Sequence, residues 1–515
     1  MIDNVFFAVL AVCWLGCQAL LLRRGVHIFQ LNSYKPYVQR KWVAENIFEI
    51  LIKNVWVALT VPALLELGRA GMLISAVIYI VVALLNIPKK AKKPLAVTAR
   101  VKRLFTTLAI LSLAVLALAA FDLRHRPDVM VLAALISLAA PYFVLLANAI
   151  NSPLEKLINL HYINDAKKRL AASPGLRVVG VTGSYGKTSM KMMLAALLEE
   201  RFGVLPTPDS YNTTLGVVRT VRERLRPIHE IFICEMGARN PGDIREICDI
   251  VHPTVGIITS VGPQHLESFK TVENVLKTKL ELADALPEGG LLLVNADCEY
   301  LAGREGAVGY GIDNGEWRAG DITVGPAGSE FTVTGPGGVT GRFRTKLIGR
   351  HNVLNITGAA AAAYLLGVPM AEITAAAARL EPVPHRLQLL GGGSRRIIDD
   401  AYNSNPAGAA AALEALADFD AARILVTPGM VELGSKQYDC NREFGEQAAR
   451  AADFVALVGE KQTRPILDGL RIAGMPEDRI KVCATLEEAM AAADGFDTGG
   501  RPRVILLEND LPDNY

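Results

Sequence analysis

The residues with the clearest chemistry lie at 177–189, Arg-Val-Val-Gly-Val-Thr-Gly-Ser-Tyr-Gly-Lys-Thr-Ser. A β-branched run up to Thr182 enters a turn with two glycines, Gly183 and Gly186. Lys187-Thr188 then opens a helical stretch from Met190 to Glu200. Strand, glycine turn and helix N-terminus together cradle phosphate, because backbone N–H groups point inward and the helix end adds partial positive charge. Gly183, Ser184, Tyr185, Gly186 and Ser189 then belong to the loop. Lys187 reaches the terminal phosphates of a nucleoside triphosphate such as ATP, and the Thr188 hydroxyl suits Mg2+. The spacing is Thr-Gly-x-x-Gly-Lys-Thr, because Val181 and not glycine stands five residues before Gly186.

Further along, the apolar run Ile231-Phe232-Ile233-Cys234 ends on Glu235. Ligands of parallel sheets sit off the carboxyl ends of strands. Glu235 is therefore either a surface carboxylate or an acid that holds a metal or its waters. His265 stands just past another such run, Val255 to Thr259, which suits a metal ligand. Lys279, in Leu276-Lys277-Thr278-Lys279-Leu280-Glu281, reads as a solvated lysine on a helix. Asn352, after Gly349-Arg350-His351, opens a helix and suits either capping or contact with a base. Arg386 follows the junction Glu381-Pro382-Val383-Pro384 and is placed to bridge a domain gap to a phosphate. Asp399-Asp400-Ala401-Tyr402-Asn403 ends a strand and turns. An acid there suits a ribose hydroxyl, or the segment is an ordinary Asx turn.

These residues need elements to position them. A chain of 515 residues predicts roughly three domains. Its net charge of +2 gives no sign of nucleic acid. The apolar share of 51% is concentrated in the first 150 residues and points to a membrane. Apolar runs predict spans at about 5–22, 48–67, 70–87, 104–121 and 128–149. The second has Glu49 and Lys53 near its start, where they can pair at i,i+4. Two loops between spans are basic: Arg23, Arg24, Lys35, Arg40 and Lys41 in one, Lys89, Lys90, Lys92, Lys93, Arg100, Lys102 and Arg103 in the other. Positive loops face the cytoplasm. Five spans then leave the N-terminus outside and the phosphate loop inside, where ATP is. No Cys-x-x-Cys pair follows the membrane region, so neither a disulfide frame nor a zinc site is implied.

After the spans, 152–175 reads as an amphipathic connecting helix. Apolar strands then alternate with helices over 176–380, which predicts a parallel sheet covered by helices, with a small β-insert at 300–348. A second alternating unit, 381–515, looks like a Rossmann-like doubly-wound domain. The fold class is thus an N-terminal α-helical transmembrane bundle (1–151) followed by α/β: a parallel-sheet ATPase domain plus a Rossmann-like domain.

In their order, these pieces resemble the Mur ligases, ATP-dependent amide-forming enzymes of peptidoglycan assembly, and most closely the MurF type, which joins D-alanyl-D-alanine to a UDP-muramoyl tripeptide. The likeness covers about 176–460. It is carried by Thr182–Ser189, Asn212-Thr213-Thr214-Leu215-Gly216, Glu235–Gly242, Gly262–His265, Lys279–Glu281, Gly349–Asn352, Pro384–Leu387, Asp400–Pro406 and Gly429-Met430-Val431-Glu432-Leu433-Gly434. The resemblance implies that Lys187 and Thr188 handle phosphate and Mg2+, and that Glu235 and His265 serve a second Mg2+. It implies that Lys279 is carbamylated, as an anionic metal-side ligand. Asn352 and Asp400 would hold adenine and ribose, Arg386 the phosphates, and Tyr402 and Asn403 the nucleotide side of the cleft. A substrate carboxylate would take the γ-phosphoryl group as an acyl phosphate, and an amine would then displace phosphate.

The sequence departs from the MurF type in three places. Membrane spans stand where a soluble UDP-sugar domain is usual, which predicts a lipid-linked rather than a UDP-linked muropeptide as acceptor. Glu508 and Asp510 replace a basic stretch and would repel a donor carboxylate. An amine donor other than the dipeptide, even ammonia from an amidotransferase partner, is the alternative. Asn212-Thr213 replaces Asn-Asn, which bears on γ-phosphate contacts. A reading of another class is a membrane-anchored ATP-binding scaffold without ligase activity.

Overall fold

The computed structural model describes residues 2–88, 93–121, 126–209, 211–402 and 404–510. Lys89, Lys90, Lys92, Asn403 and the last five residues of the acidic terminus lie outside them. The chain divides into two compact units, Met1–Leu160 and His161–Leu511.

The first unit is helical. Among the described residues four stretches are long and apolar enough to cross a membrane, Asp3–Leu31, Ile47–Glu66, Gly68–Leu85 and Ala99–Phe121, and a bent pair makes five if it is one span. Glu49 and Lys53 do pair, at 2.5 Å. The fifth expected span, 128–149, is not one helix: Asp128–Leu138 and the helix Ala140–Ala171 meet at 91°. Pro141 has no N–H to continue the first helix, and its ring clashes with the preceding turn. Tyr142 and Phe143 instead donate to Ala139 O. The connecting helix does not begin at 152 either; it is the second half of Ala140–Ala171, which runs through Pro153.

That helix is turned inside out relative to one in water. Tyr142, Leu146, Ile150, Leu154, Leu157 and Leu160 are exposed, while Asn148, Asn151 and Glu155 are buried. The polar side meets Arg100, Thr107 and Arg103, the last in a two-pronged pair with Glu155 at 2.6 and 2.8 Å. Other helices repeat the pattern. Gln18, Ser75 and Ser112 are buried, and Val9, Val77 and Ile110 face out. A water-soluble helix does the reverse.

The second unit holds two sheets. The first contains β1 (Arg177–Thr182), β2 (Val204–Pro206), β3 (Ile231–Glu235), β4 (Val255–Ile258), β5 (Leu291–Asn295), β6 (Val308–Gly311), β7 (Trp317–Gly325), β8 (Gly328–Thr334) and β9 (Thr340–Thr345). Their order is β2-β3-β1-β4-β5-β6-β7-β8-β9. The expected β-insert is no separate body. It extends this sheet through β6, with β7, β8 and β9 antiparallel to one another. The reason is apolar: Trp317, Phe331 and Phe343 are buried in one core with the alanine-rich helix Arg350–Leu365.

The second sheet contains β10 (Gln388–Gly392), β11 (Arg395–Asp400), β12 (Ala422–Thr427), β13 (Phe454–Val458), β14 (Ile480–Cys483) and β15 (Arg503–Glu508). Their order is β10-β11-β15-β12-β13-β14, parallel except for the β10–β11 hairpin. The chain leaves the carboxyl end of β1 into Gly183, that of β3 at Glu235, that of β4 toward His265, and that of β11 at Asp400. These are the ends where parallel sheets take ligands.

Two helices behind the second sheet touch backbone to backbone. A Cβ on Gly469 would lie 2.0 Å from Arg442 O, and one on Gly445 2.2 Å from Ile466 O. Gly469→Ala must therefore push Gln437–Ala451 and Glu460–Ile472 apart, at a cost of about 1–3 kcal/mol. Urea unfolding should show an earlier transition for this variant; an unchanged midpoint contradicts the packing.

Candidate active site

The turn after β1 is tight because Gly183 (φ 151°) lies against the β4 exit: a Cβ there would sit 2.0 Å from Thr259 Oγ1. Ser184 Oγ donates to Gly262 O at 3.2 Å and accepts from Gly262 N at 3.1 Å. Tyr185 OH donates to Pro263 O, and Tyr185 N to Ser260 Oγ. Side chains at 184 and 185 thus lash the loop to the β4 exit. Gly186, left-handed at φ 79°, starts the helix Lys187–Leu198, and Ser189 is half-buried in its first turn. Lys187 curls back over the loop, its Nζ donating to Gly183 O at 2.6 Å and Ser184 O at 3.0 Å. Burial lowers its pKa to about 8, against the pull of Glu235 and with a further push from Arg386.

Glu235 is no surface carboxylate; it is about 1% exposed. Thr188 Oγ1 lies 3.2 and 3.1 Å from its two oxygens, and Asn212 Nδ2 donates to Oε1 at 3.0 Å. A further partner is Lys191, absent from the sequence reading. Its buried Nζ is 3.0 Å from Glu235 Oε2 and donates to Asp209 O at 2.6 Å. The available signal was spacing: Lys191 follows Lys187 by four residues on one helix face.

His265 is left-handed (φ 50°), with Nδ1 2.6 Å from Glu432 Oε2. Burial pushes its pKa down; Glu432 pulls it up, and Arg239 and Lys187 push down with burial. Lys279 is not solvated. It is about 1% exposed and makes no hydrogen bond or ion pair among the described residues. Burial, then Lys187, push its pKa far below the ordinary lysine value. Lys187 is thus electrostatically linked to Glu235, His265, Lys279 and Arg386.

From the second sheet, Arg386 lies 4.4 Å over the Tyr402 ring. Burial raises the pKa of Asp400 to about 6, against Arg386 and the Leu387 N–H. The Asx turn is made by Asp399, which accepts from Ala401 N, and not by Asp400. Asn352 does not cap its helix. Gly349 stands at that position, and the Asn352 amide donates to Ile348 O at 2.8 Å. One turn on, Asn355 faces the loop: a Cβ on Gly186 would come within 3.0 Å of its Oδ1. That residue, too, went unread.

Residues 181–363 match the family described as the Mur ligase middle domain, and residues 385–506 match the Mur ligase glutamate ligase domain. The chain belongs to the Mur ligase family. Residues 1–180 lie outside both matches. The chain is 34% identical over 295 residues to UDP-N-acetylmuramoyl-tripeptide–D-alanyl-D-alanine ligase of Escherichia coli (strain K12), a match covering 55% of this chain and 65% of that protein. It spans less than two thirds of the length of the curated relatives it matches first. The structure is similar to MurF from Acinetobacter baumannii, with TM-score 0.62 and 26% identity over 68% of this chain and 77% of the other. MurF from Thermotoga maritima in complex with ADP gives 0.60 and 25%, over 68% and 80%.

Mg2+ is implied by the Mur ligase fold. Thr188 Oγ1 and the Glu235 oxygens stand about 3 Å apart, as neighbouring corners of a Mg2+ octahedron require. These two residues would hold one ion, which would supply neutralising charge at the phosphates. For the second ion, expected at His265 and Lys279, Nε2 would be the imidazole atom left to bind it. Nδ1 of His265 is engaged by Glu432, and no group of three or more His, Cys, Asp or Glu converges among the described residues.

Glu508 corrects the reading of an acidic end that repels a carboxylate. It is buried, accepts from Ser404 and Thr427, and burial raises its pKa to about 8. Burial thus favours its neutral form, and of the two acids read as repelling a donor carboxylate Asp510 alone stays exposed.

Two outcomes follow. Lys191→Met leaves Glu235 as an unpaired buried charge and should cost about 3–5 kcal/mol. The double variant with Glu235→Gln should recover most of that in urea unfolding, and additive losses contradict the pair. For Glu508 the folded pKa lies above the ordinary carboxylate value, so ionisation favours the unfolded chain as pH rises from about 4.5 to about 8. The stability of wild type relative to Glu508→Gln should fall across that window and level off above it. A flat difference contradicts a neutral Glu508.

Proposed function

We propose that the chain is an ATP-dependent ligase that joins an amine to a carboxyl group of a peptidoglycan-precursor peptide through an acyl phosphate. One observation carries this: Glu235 lies about 3 Å from Thr188 at the end of the phosphate loop, and Glu235, His265, Lys279 and Arg386 all feel or exert the charge of Lys187. In this reading Lys187 leaves the Gly183 and Ser184 carbonyls for the outer phosphates, and Arg386 approaches them from across the cleft. Asn212 lies beside the γ-phosphate, Asn352 and Asp400 hold adenine and ribose, and Tyr402 and Asn403 line the nucleotide side. A substrate carboxylate oxygen bonds to the γ-phosphorus as the bond to ADP breaks. The amine then bonds to the acyl carbon, phosphate leaves, and the amine proton goes to solvent. Mg2+ held at Thr188 and Glu235 would spread the phosphate charge. Closure of the two lobes would keep water from the acyl phosphate.

Lys279 is read as carbamylated. A buried lysine of low pKa is a neutral amine, which can bond to CO2 and release one proton. The resulting anion would be attracted to the Lys187 cation, where the neutral amine is not.

The division we read is a membrane region at 1–151, a connecting helix at 152–175, a nucleotide lobe at 176–380 and a closing lobe at 381–515. The outward apolar faces of the first unit support its placement in a bacterial cytoplasmic membrane, with both lobes in the cytoplasm. A membrane-held enzyme favours a lipid-linked muropeptide as acceptor, with a dipeptide or amino acid as donor.

Purified full-length protein in lipid nanodiscs, with ATP and Mg2+, tests this. Acceptor-dependent ADP release and a product mass should appear with the lipid-linked tripeptide and D-alanyl-D-alanine, and vanish in Lys187→Ala. Preference for the soluble UDP-linked acceptor removes the lipid reading. ADP release that needs ammonia or a glutaminase points to amidation, and none with any acceptor leaves a scaffold.

A further inference from the structure

The segment Gly429–Gly434 presents one carboxylate and holds it in a costly conformation. Glu432 is left-handed, φ 64°, a region that L side chains pay roughly 1–2 kcal/mol to enter. The loop is fixed to the second sheet. Asn441 accepts from Met430 N at 2.8 Å and donates to Met430 O at 3.0 Å. Gly429 N donates to Thr427 Oγ1, and Asn509 donates to Gly429 O. What Glu432 meets belongs to the first sheet: His265 at 2.6 Å on one oxygen and Arg239 at 3.6 Å on the other. His265 is itself left-handed. Two strained non-glycine residues from different sheets therefore meet head-on. Such conformers persist where the surroundings fix them, and they cluster at sites with a function.

We propose that Glu432 is a positioning residue that couples closure of the two lobes to assembly of the phosphate site. It accepts the Nδ1 proton of His265, sets the tautomer, and leaves Nε2 as the ring atom available next to the Lys187 loop. A carboxylate behind a working imidazole does this in many sites. Here the carboxylate comes from the opposite lobe, so His265 is oriented only when the lobes are together. Arg239, just past β3, holds the second oxygen and keeps Glu432 from turning away. The proposal rests on the ligase reading for its kinetic consequence, and not for its structural one.

Hydrogen exchange by mass spectrometry on the full chain in nanodiscs tests the structural part, with ADP as probe. In wild type, 262–269 and 429–436 should gain protection together when ADP binds. In Glu432→Ala, 262–269 should lose that gain while ADP affinity stays within about threefold. In Glu432→Gln, which keeps a hydrogen bond, part of it should return. If acceptor turnover is measurable, Glu432→Ala should lower kcat about 10- to 100-fold, with KM for ATP little changed. Arg239→Ala, at an exposed residue, should give a smaller loss of the same kind and serves if Glu432→Ala fails to fold. Unchanged protection of 262–269 in both variants overturns the proposal, as does a fall in ADP affinity as large as the fall in protection. Absent turnover in wild type with the exchange pattern intact counts against the ligase reading alone.

Discussion

Positive charge converges on one loop. Lys187, Lys191 and Arg386 point into the same region, with the amine of Lys279 behind them. Glu235 lies among them, with Asp400 beside Arg386, and Lys191 already takes one oxygen of Glu235. Among the described residues the Lys187 amine donates to two loop carbonyls, and burial holds its pKa near 8 against the pull of Glu235. Such a site is stable in water only at a cost, and a polyanion removes that cost. The glycine turn, the helix N-terminus and the second sheet all serve the same demand. Each brings a donor or a cation to where a triphosphate's outer groups would lie.

How much of this was legible depends on how local the cause is. The phosphate loop is local: three residue types at fixed spacing force strand, turn and helix. Glu235 was legible because it ends an apolar run, and runs of that kind become buried parallel strands. Lys279 was not, since a lysine between polar neighbours on a helix looks the same whether solvent or a sheet covers it. Burial is decided by β1 and β4, far away in sequence. The same limit hid Glu432, whose partner lies 167 residues away. It also misread Glu508, whose pKa is raised by burial under segments far away in sequence, against the hydroxyls of Ser404 and Thr427. Pro141 was visible, but a window of hydropathy has no term for a missing amide, so 128–149 read as one span.

The first unit poses the complementary problem. Its helices turn asparagine, glutamine, serine and one Arg–Glu pair inward and leave leucine and valine outside. In water that arrangement forfeits apolar burial, whereas in hydrocarbon it forfeits little. The catalytic lobes need no such body for chemistry. On the proposed function, its value is to hold them where an acceptor with a lipid tail would be found.

The claim at the centre is that the outer phosphoryl group of ATP is handed to a carboxylate. An acceptor whose reacting carboxyl group carries 18O reads this directly. Each turnover through an acyl phosphate moves one labelled oxygen into the phosphate released, because the oxygen that attacks phosphorus leaves with it. The account expects one 18O per phosphate. Phosphate without label, formed alongside amide product, contradicts it.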